Sequence, residues 1–133
     1  MRLIIRLFTM LSLLTAGLCA NAQDDGYDVF VPISKYIAQG NADALSAWFD
    51  STLEVTVLSK GADASKSQAR QIMKSFFESY TPRSFNITHK AGKANMKYAL
   101  ADLSAGGETF RVTIFIACKN DGYKIQQLKI DRL

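Results

Sequence analysis

Few side chains in this sequence are suited to acid–base chemistry. The single histidine, His89, shares strand phase with Phe85 and Ile87, which would turn it toward a core. Asp102 follows Met96, Tyr98 and Leu100 in two-residue steps and so also falls on an apolar phase. A general base at such a position needs a dry pocket, a tuned pKa and hydrogen-bond reach of its substrate. Both residues have a plainer reading. His89 lies beside Lys90 at a strand end, and Asp102 precedes the turn at Gly106. One histidine without a second His or Cys at ligand spacing does not build an ordinary zinc site, so no metal is expected. No serine sits in a nucleophile elbow, and no Gly-rich loop leads from a strand into a helix. Hydrolase and nucleotide readings lapse, and no cofactor is expected.

The elements that would position these residues follow from periodicity. Asp28 is a plausible N-cap, with Val29, Phe30, Ile33, Tyr36 and Ile37 at helical spacing and Pro32 tolerated in the first turn. Gly40 ends this helix, and Asn41 caps a short second one carrying Leu45, Trp48 and Phe49. Leu53, Val55 and Val57 then alternate with Glu54 and Thr56, a half-buried strand that breaks at Lys60 to Ala64. Ser65 and Gln68 form a capping box for a third helix, whose face is Ala69, Ile72, Met73, Phe76, Phe77 and Tyr80. Thr81-Pro82 closes it.

From Arg83 onward the pattern is strand and turn. Phe85, Ile87 and His89 are followed by a loop at Gly92, then Met96, Tyr98 and Leu100, then a turn at Ala105-Gly106-Gly107. The longest strand carries Phe110, Val112, Ile114, Ile116 and Cys118, and Asn120-Asp121-Gly122 marks a tight hairpin. In the last strand Tyr123 and Ile125 hold one phase, Leu128 and Ile130 the other. That slip predicts a β-bulge at Gln126-Gln127. The order is α-α-β-α-β-β-β-β, an α+β domain with a curved antiparallel sheet packed on a long helix. Bent around that helix, the sheet makes a cone, hollow or filled.

The N-terminus reads as a secretory signal peptide over residues 1–22. Arg2 and Arg6 give a cationic start, Leu7 to Leu18 an uncharged apolar run, and Ala20-Asn21-Ala22 a cleavage site before Gln23. The run is shorter than the ~20 residues a membrane span needs. Leu18, directly before Cys19, argues against a lipoprotein anchor. The expectation is export to the periplasm or beyond, with no membrane attachment after cleavage and one domain over residues 23–133. Cleavage lowers the basic count from 16 to 14 against 12 acidic residues, so the charge falls from +4 to about +2. That is no footprint for nucleic acid. Cys118 is then the one cysteine left, in a strand pattern that would bury it.

This order, with the Ala-Asn-Ala-Gln site at 20–23, the Gln39-Gly40-Asn41-Ala42-Asp43 junction and the Ser75 to Tyr80 segment, resembles the nuclear transport factor 2-like (cystatin-like) superfamily. More narrowly, the chain looks like a Bacteroidetes family of small exported proteins of unknown function. The resemblance implies a cone-shaped interior and frequent homodimerisation through the open sheet face. It implies no activity, because such folds host enzymes, carriers and assembly modules alike. A ketosteroid isomerase-like or cyclase-like member would use His89 or Asp102 as general base inside the cone, near Tyr36 and Tyr98.

Tyr36, Trp48, Phe76, Tyr98 and Phe110 would line a ligand pocket, or else simply fill the core. The other sheet face would carry Glu54, Thr56, Asn86, Thr88, Lys97, Arg111, Thr113 and Phe115, and a solvated face needs no Phe115. Lys90, Lys93 and Lys97 cluster near one hairpin, where lysines ordinarily guard sheet edges. The leading expectation is a non-enzymatic module that binds a small apolar ligand or a partner chain, dimeric through Thr113 and Phe115. An enzyme, or a structural homodimer with a filled cone, are the alternatives.

Overall fold

A computed structural model describes residues 28–120 and 122–133. The leader assigned to residues 1–22 lies outside them. Helix α1 spans Phe30–Gln39, and Asp28 accepts a hydrogen bond from the Phe30 N–H at 2.9 Å. Gly40 ends α1 at φ 66°, and the Asn41 side chain caps α2, Ala42–Ser46, through the Ala44 N–H. After strand β1, Phe49–Val57, comes an element that composition does not announce: strand β2, Lys60–Ser65. The Ser65/Gln68 capping box then opens α3, Lys66–Ser79. Strands β3 (Pro82–Lys93), β4 (Met96–Ala105), β5 (Glu108–Lys119) and β6 (Gly122–Arg132) follow as hairpins.

The curved, unclosed sheet has the order β2-β1-β6-β5-β4-β3. All neighbours are antiparallel except β1 and β6, which run parallel with Val55 beside Leu128 and Val57 beside Ile130. The expected bulge is present. Phe115 pairs with Gln127 and Ile116 with Ile125, which leaves Gln126 as the extra residue. The bulge lets Tyr123, Ile125, Leu128 and Ile130 all reach the buried side despite their change of phase.

The helices cover one sheet face, α1 against β3 and α3 against β1 and β2. Between them lie Ile33, Ile37, Leu45, Met73, Phe76 and Phe77 from the helices, with Phe110, Val112, Ile114 and Ile116 from β5. The Phe110 ring meets Phe76 edge-on at 5.3 Å and Tyr80 at 5.1 Å. Arg132 locks that corner, its guanidinium donating to Glu108 and to the Tyr80 hydroxyl at 2.9 Å each.

Strand β2 escapes sequence reading because only Ala64 of its residues is buried and because its turn lacks glycine. Leu58 and Ser59 both adopt positive φ, 52° and 70°, as a two-residue hairpin turn requires. Leu58 packs against the core while Ser59 is exposed. A side chain held in the left-handed region costs about 1–2 kcal/mol, partly offset by the unfolded-state entropy of glycine. Ser59→Gly is therefore expected to stabilise the fold by about 0.5 kcal/mol, read as a rise in the urea midpoint at unchanged slope.

Candidate functional site

Strand pairing decides which residues share a face. On β4 the buried side chains are Ala99, Ala101, Leu103 and Ala105, so Tyr98, Leu100 and Asp102 point away from the helices. The larger apolar residues of this strand were expected inside. On the inner side of a curved sheet side chains converge, and small ones fit there. His89 is displaced for a different reason. Ile87 pairs with Ala101 but His89 pairs with Leu100, so Thr88 is an extra residue that reverses the phase. His89 is exposed on the outer face, its ring 5.7 Å from that of Tyr98.

The two expected bases therefore stand on the outer face of the sheet, not among the helices. Asp102 pairs across β4 and β5 with Arg111, whose Nε lies 3.6 Å from Oδ1. That oxygen is shut off from solvent and has no hydrogen bond.

The expected ligand-lining residues divide in the same way. Phe76 and Phe110 are buried and in contact, and Tyr36 and Trp48 are half-buried against that core. Tyr98 lies on the opposite side of the sheet, so these five do not line one space. Thr113 and Phe115 are on the open face as expected. Lys97 is not: it pairs with Ile116 on the core side and extends over the Tyr123 ring at 5.1 Å. Cys118 is half-buried, and no free cysteine occurs among the described residues. The expectation of a lone buried thiol is corrected accordingly.

The open face can be read row by row across the sheet. One row runs Gln127, Phe115, Tyr98, Ala91, and the next runs Lys129, Thr113, Leu100, His89. A third runs Asp131, Arg111, Asp102, Asn86, and at the other end Met96 sits between Lys93 and Ala117. Tyr98, Leu100 and Phe115 thus form a half-buried apolar centre with alternating charges on one side. At the β3–β4 hairpin the surface deepens into a groove of about 440 Å³, lined by Gly92, Lys93, Asn95, Met96, Lys97, Tyr98 and Phe115. Met96 is 45% exposed there.

The groove is braced. The Cys118 N–H donates to the Asn95 carbonyl at 2.9 Å, and the Tyr123 hydroxyl donates to the Ala94 carbonyl at 2.7 Å. Burial raises the Tyr123 pKa, which keeps that hydroxyl a donor. Gly92, at φ 149°, lets the strands pinch together; a Cβ there would meet the Met96 carbonyl oxygen at 2.4 Å. Leu100 and the groove were missed in sequence because the apolar phase of β4 was assigned to the core. The available signal was the run of alanines in the other phase.

Two carboxylates hold the frame behind this face. Burial raises the pKa of Asp50, but the Gln126 side chain, the Ser51 N–H, Lys119 and Lys124 bring it below its ordinary value. Gln126 Nε2 donates to Asp50 Oδ2 at 2.9 Å, fastening the bulged residue to β1. Asp28 behaves similarly. Burial raises its pKa, and Lys90, the Phe30 N–H and Lys97 bring it down further than burial lifts it. Lys90 Nζ lies 2.6 Å from Asp28 Oδ2, tying the start of α1 to edge strand β3.

Helices on one face of a curved six-stranded sheet, with the other face uncovered among the described residues, define a cystatin-like or nuclear transport factor 2-like fold. Residues 30–131 match the domain of unknown function DUF4783, and the chain belongs to that family. It resembles the crystal structure of a DUF4783 family protein from Bacteroides uniformis at 24% identity and a TM-score of 0.77, over 80% of this chain and 98% of that one. A domain of unknown function with a cystatin-like fold from Nostoc punctiforme aligns at 10% identity and a TM-score of 0.62, over 77% and 71% of the two chains. A nuclear transport factor 2-like protein of unknown function from Cytophaga hutchinsonii aligns at 10% and 0.59, over 80% and 88%. A search of curated proteins returns no match.

The depressed pKa of Asp28 fixes the sign of a pH effect. A carboxylate held below the roughly 3.9 of an unfolded aspartate stabilises the fold at higher pH, and that contribution is lost as pH falls through the folded value. Asp28→Asn is expected to lower stability near neutrality by no more than about 1 kcal/mol, since the pair is partly exposed. Its stability should also fall less than wild type on acidification from about pH 6 to about pH 3, followed by urea unfolding.

Proposed function

We propose that this protein is an exported, non-enzymatic binding module whose ligand, a small apolar molecule, lies in the groove at the hairpin end of the open sheet face. The observation that carries the reading is Met96, Tyr98 and Phe115 lining a braced groove on a face that none of the described helices covers. Apolar side chains left accessible around a concavity of this size are the usual substance of a small-molecule site. The placement of His89 and Asp102 supports the non-enzymatic part. A general base works best in a dry enclosure, whereas His89 is exposed and Asp102 faces a guanidinium. Export rests on the leader sequence at residues 1–22.

The test is titration with N-phenyl-naphthylamine, an uncharged dye that brightens on leaving water. Wild-type protein should enhance its emission saturably, and Phe115→Ala should weaken binding about fivefold or more. An unsaturable response, or one unchanged by Phe115→Ala, defeats the reading.

A second reading is favoured by the centre of the same face. Leu100 and Thr113 lie between the apolar row and the Asp131, Arg111, Asp102 row, whose alternating signs suit a two-fold partner of identical charge pattern. A homodimer would bury Thr113 and Phe115 there. Light scattering on the eluting peak separates the cases: a dimer that Leu100→Glu converts to monomer supports pairing, and a wild-type monomer at high concentration excludes it.

A further inference from the structure

We infer that the groove ligand is anionic: a free single-chain amphiphile whose carboxylate meets Lys93 and Asn95 while its chain lies over Met96, Tyr98 and Phe115. This rests on the groove reading above and adds the chemistry of the head group.

Lys93 pairs across the hairpin with Met96, so it belongs to the open face, at the groove end farthest from the Arg111 row. Lys90, Lys119 and Lys129 each have a carboxylate within 4 Å, whereas Lys93 has none among the described residues. None of the groove-lining residues is acidic. Lys97, the other lysine of the lining, carries its ammonium to the opposite face over Tyr123. The groove therefore has one unmatched positive charge at one end and an uncharged thioether and two aromatic rings along its length. That polarity fits a molecule with a single anionic head and an apolar tail. Asn95 sits in the turn between Lys93 and Met96, its carbonyl held by the Cys118 N–H, so its position beside the head group is fixed before binding. A neutral apolar ligand would leave Lys93 unused, and a polyanion would find no second ammonium within the described groove lining.

The experiment is an amide-resolved NMR titration with decanoate and, separately, decanol, each kept below its aggregation limit. Decanoate should shift the amides of Lys93, Asn95, Met96, Tyr98 and Phe115 and bind about threefold to tenfold tighter than decanol. An exposed charge-assisted contact supplies a preference of that order. Lys93→Gln should erase the preference without moving decanol affinity, Lys93→Arg should keep it, and Phe115→Ala should weaken both ligands. Lys93 is exposed, so its variants preserve the fold. Equal affinity for the two ligands, or a preference that survives Lys93→Gln, overturns the anionic assignment while leaving the apolar groove standing. Binding of neither overturns both. Flotation with anionic phospholipid vesicles in the absence of any decanoate response also overturns it, in favour of a membrane surface.

Discussion

The fold depends on one strand serving two neighbours of opposite direction. Strand β6 runs parallel to β1 and antiparallel to β5, and its apolar residues fall in two phases, Tyr123 and Ile125 before the bulge and Leu128 and Ile130 after it. A regular strand would have to send one of these pairs to solvent, because successive side chains alternate faces. Gln126 absorbs the extra step, and its amide binds Asp50 where β1 and β6 separate, between the Phe49–Ile125 and Glu54–Gln127 pairs. The buried side is continuous across β1, β6 and β5 because of this. Thr88 performs a similar reversal on β3 with the opposite effect: it turns His89 outward and brings Lys90 to the helix side, where it meets Asp28.

The two sheet faces consequently differ in what they demand of sequence. The inner one is selected for shape, with alanines on β4 and large aliphatic and aromatic side chains on β5 that meet Met73, Phe76 and Phe77. The outer one is free of that demand, yet keeps Met96, Tyr98, Leu100 and Phe115 where polar residues would be cheaper to solvate. Apolar groups retained on that face without a packing role are the ground of the proposed binding site. The covered side of the sheet is occupied in this region by Phe76, Phe110 and Tyr80 in mutual contact.

Much of this was legible in the sequence. The Gly40 stop of α1, the Asn41 cap of α2 and the Ser65/Gln68 box of α3 are retained, although α1 takes Val29 rather than Asp28 as its N-cap, and the phase slip at Gln126-Gln127 disclosed the bulge. Three features were not legible, each for a local reason. Strand β2 has one buried residue and a turn of Leu58 and Ser59, residue types that do not advertise positive φ. The bulge at Thr88 leaves no mark in hydrophobicity, because the residues after it are polar or small. On β4 Met96, Tyr98 and Leu100 face outward while three alanines join Leu103 inside, which inverts, over the first half of the strand, the rule that the greater hydrophobe goes inside. Through the last two, His89, Tyr98 and Asp102 were assigned to the inner side of the sheet, whereas Phe115 was expected on the open face, where it lies.

The parallel pairing of β1 with β6 also sets a schedule for assembly. Glu54 and Thr56 find their partners in Gln127 and Lys129, far along the chain, and until β6 arrives the β1–β2 hairpin has no neighbour on its inner edge. A two-stranded hairpin is marginal alone in water. A nascent chain can therefore form α3 and the β3–β4–β5 meander while still being synthesised, but it cannot close its core. Long-range pairing of this kind is slow to form, and it holds the sheet open late.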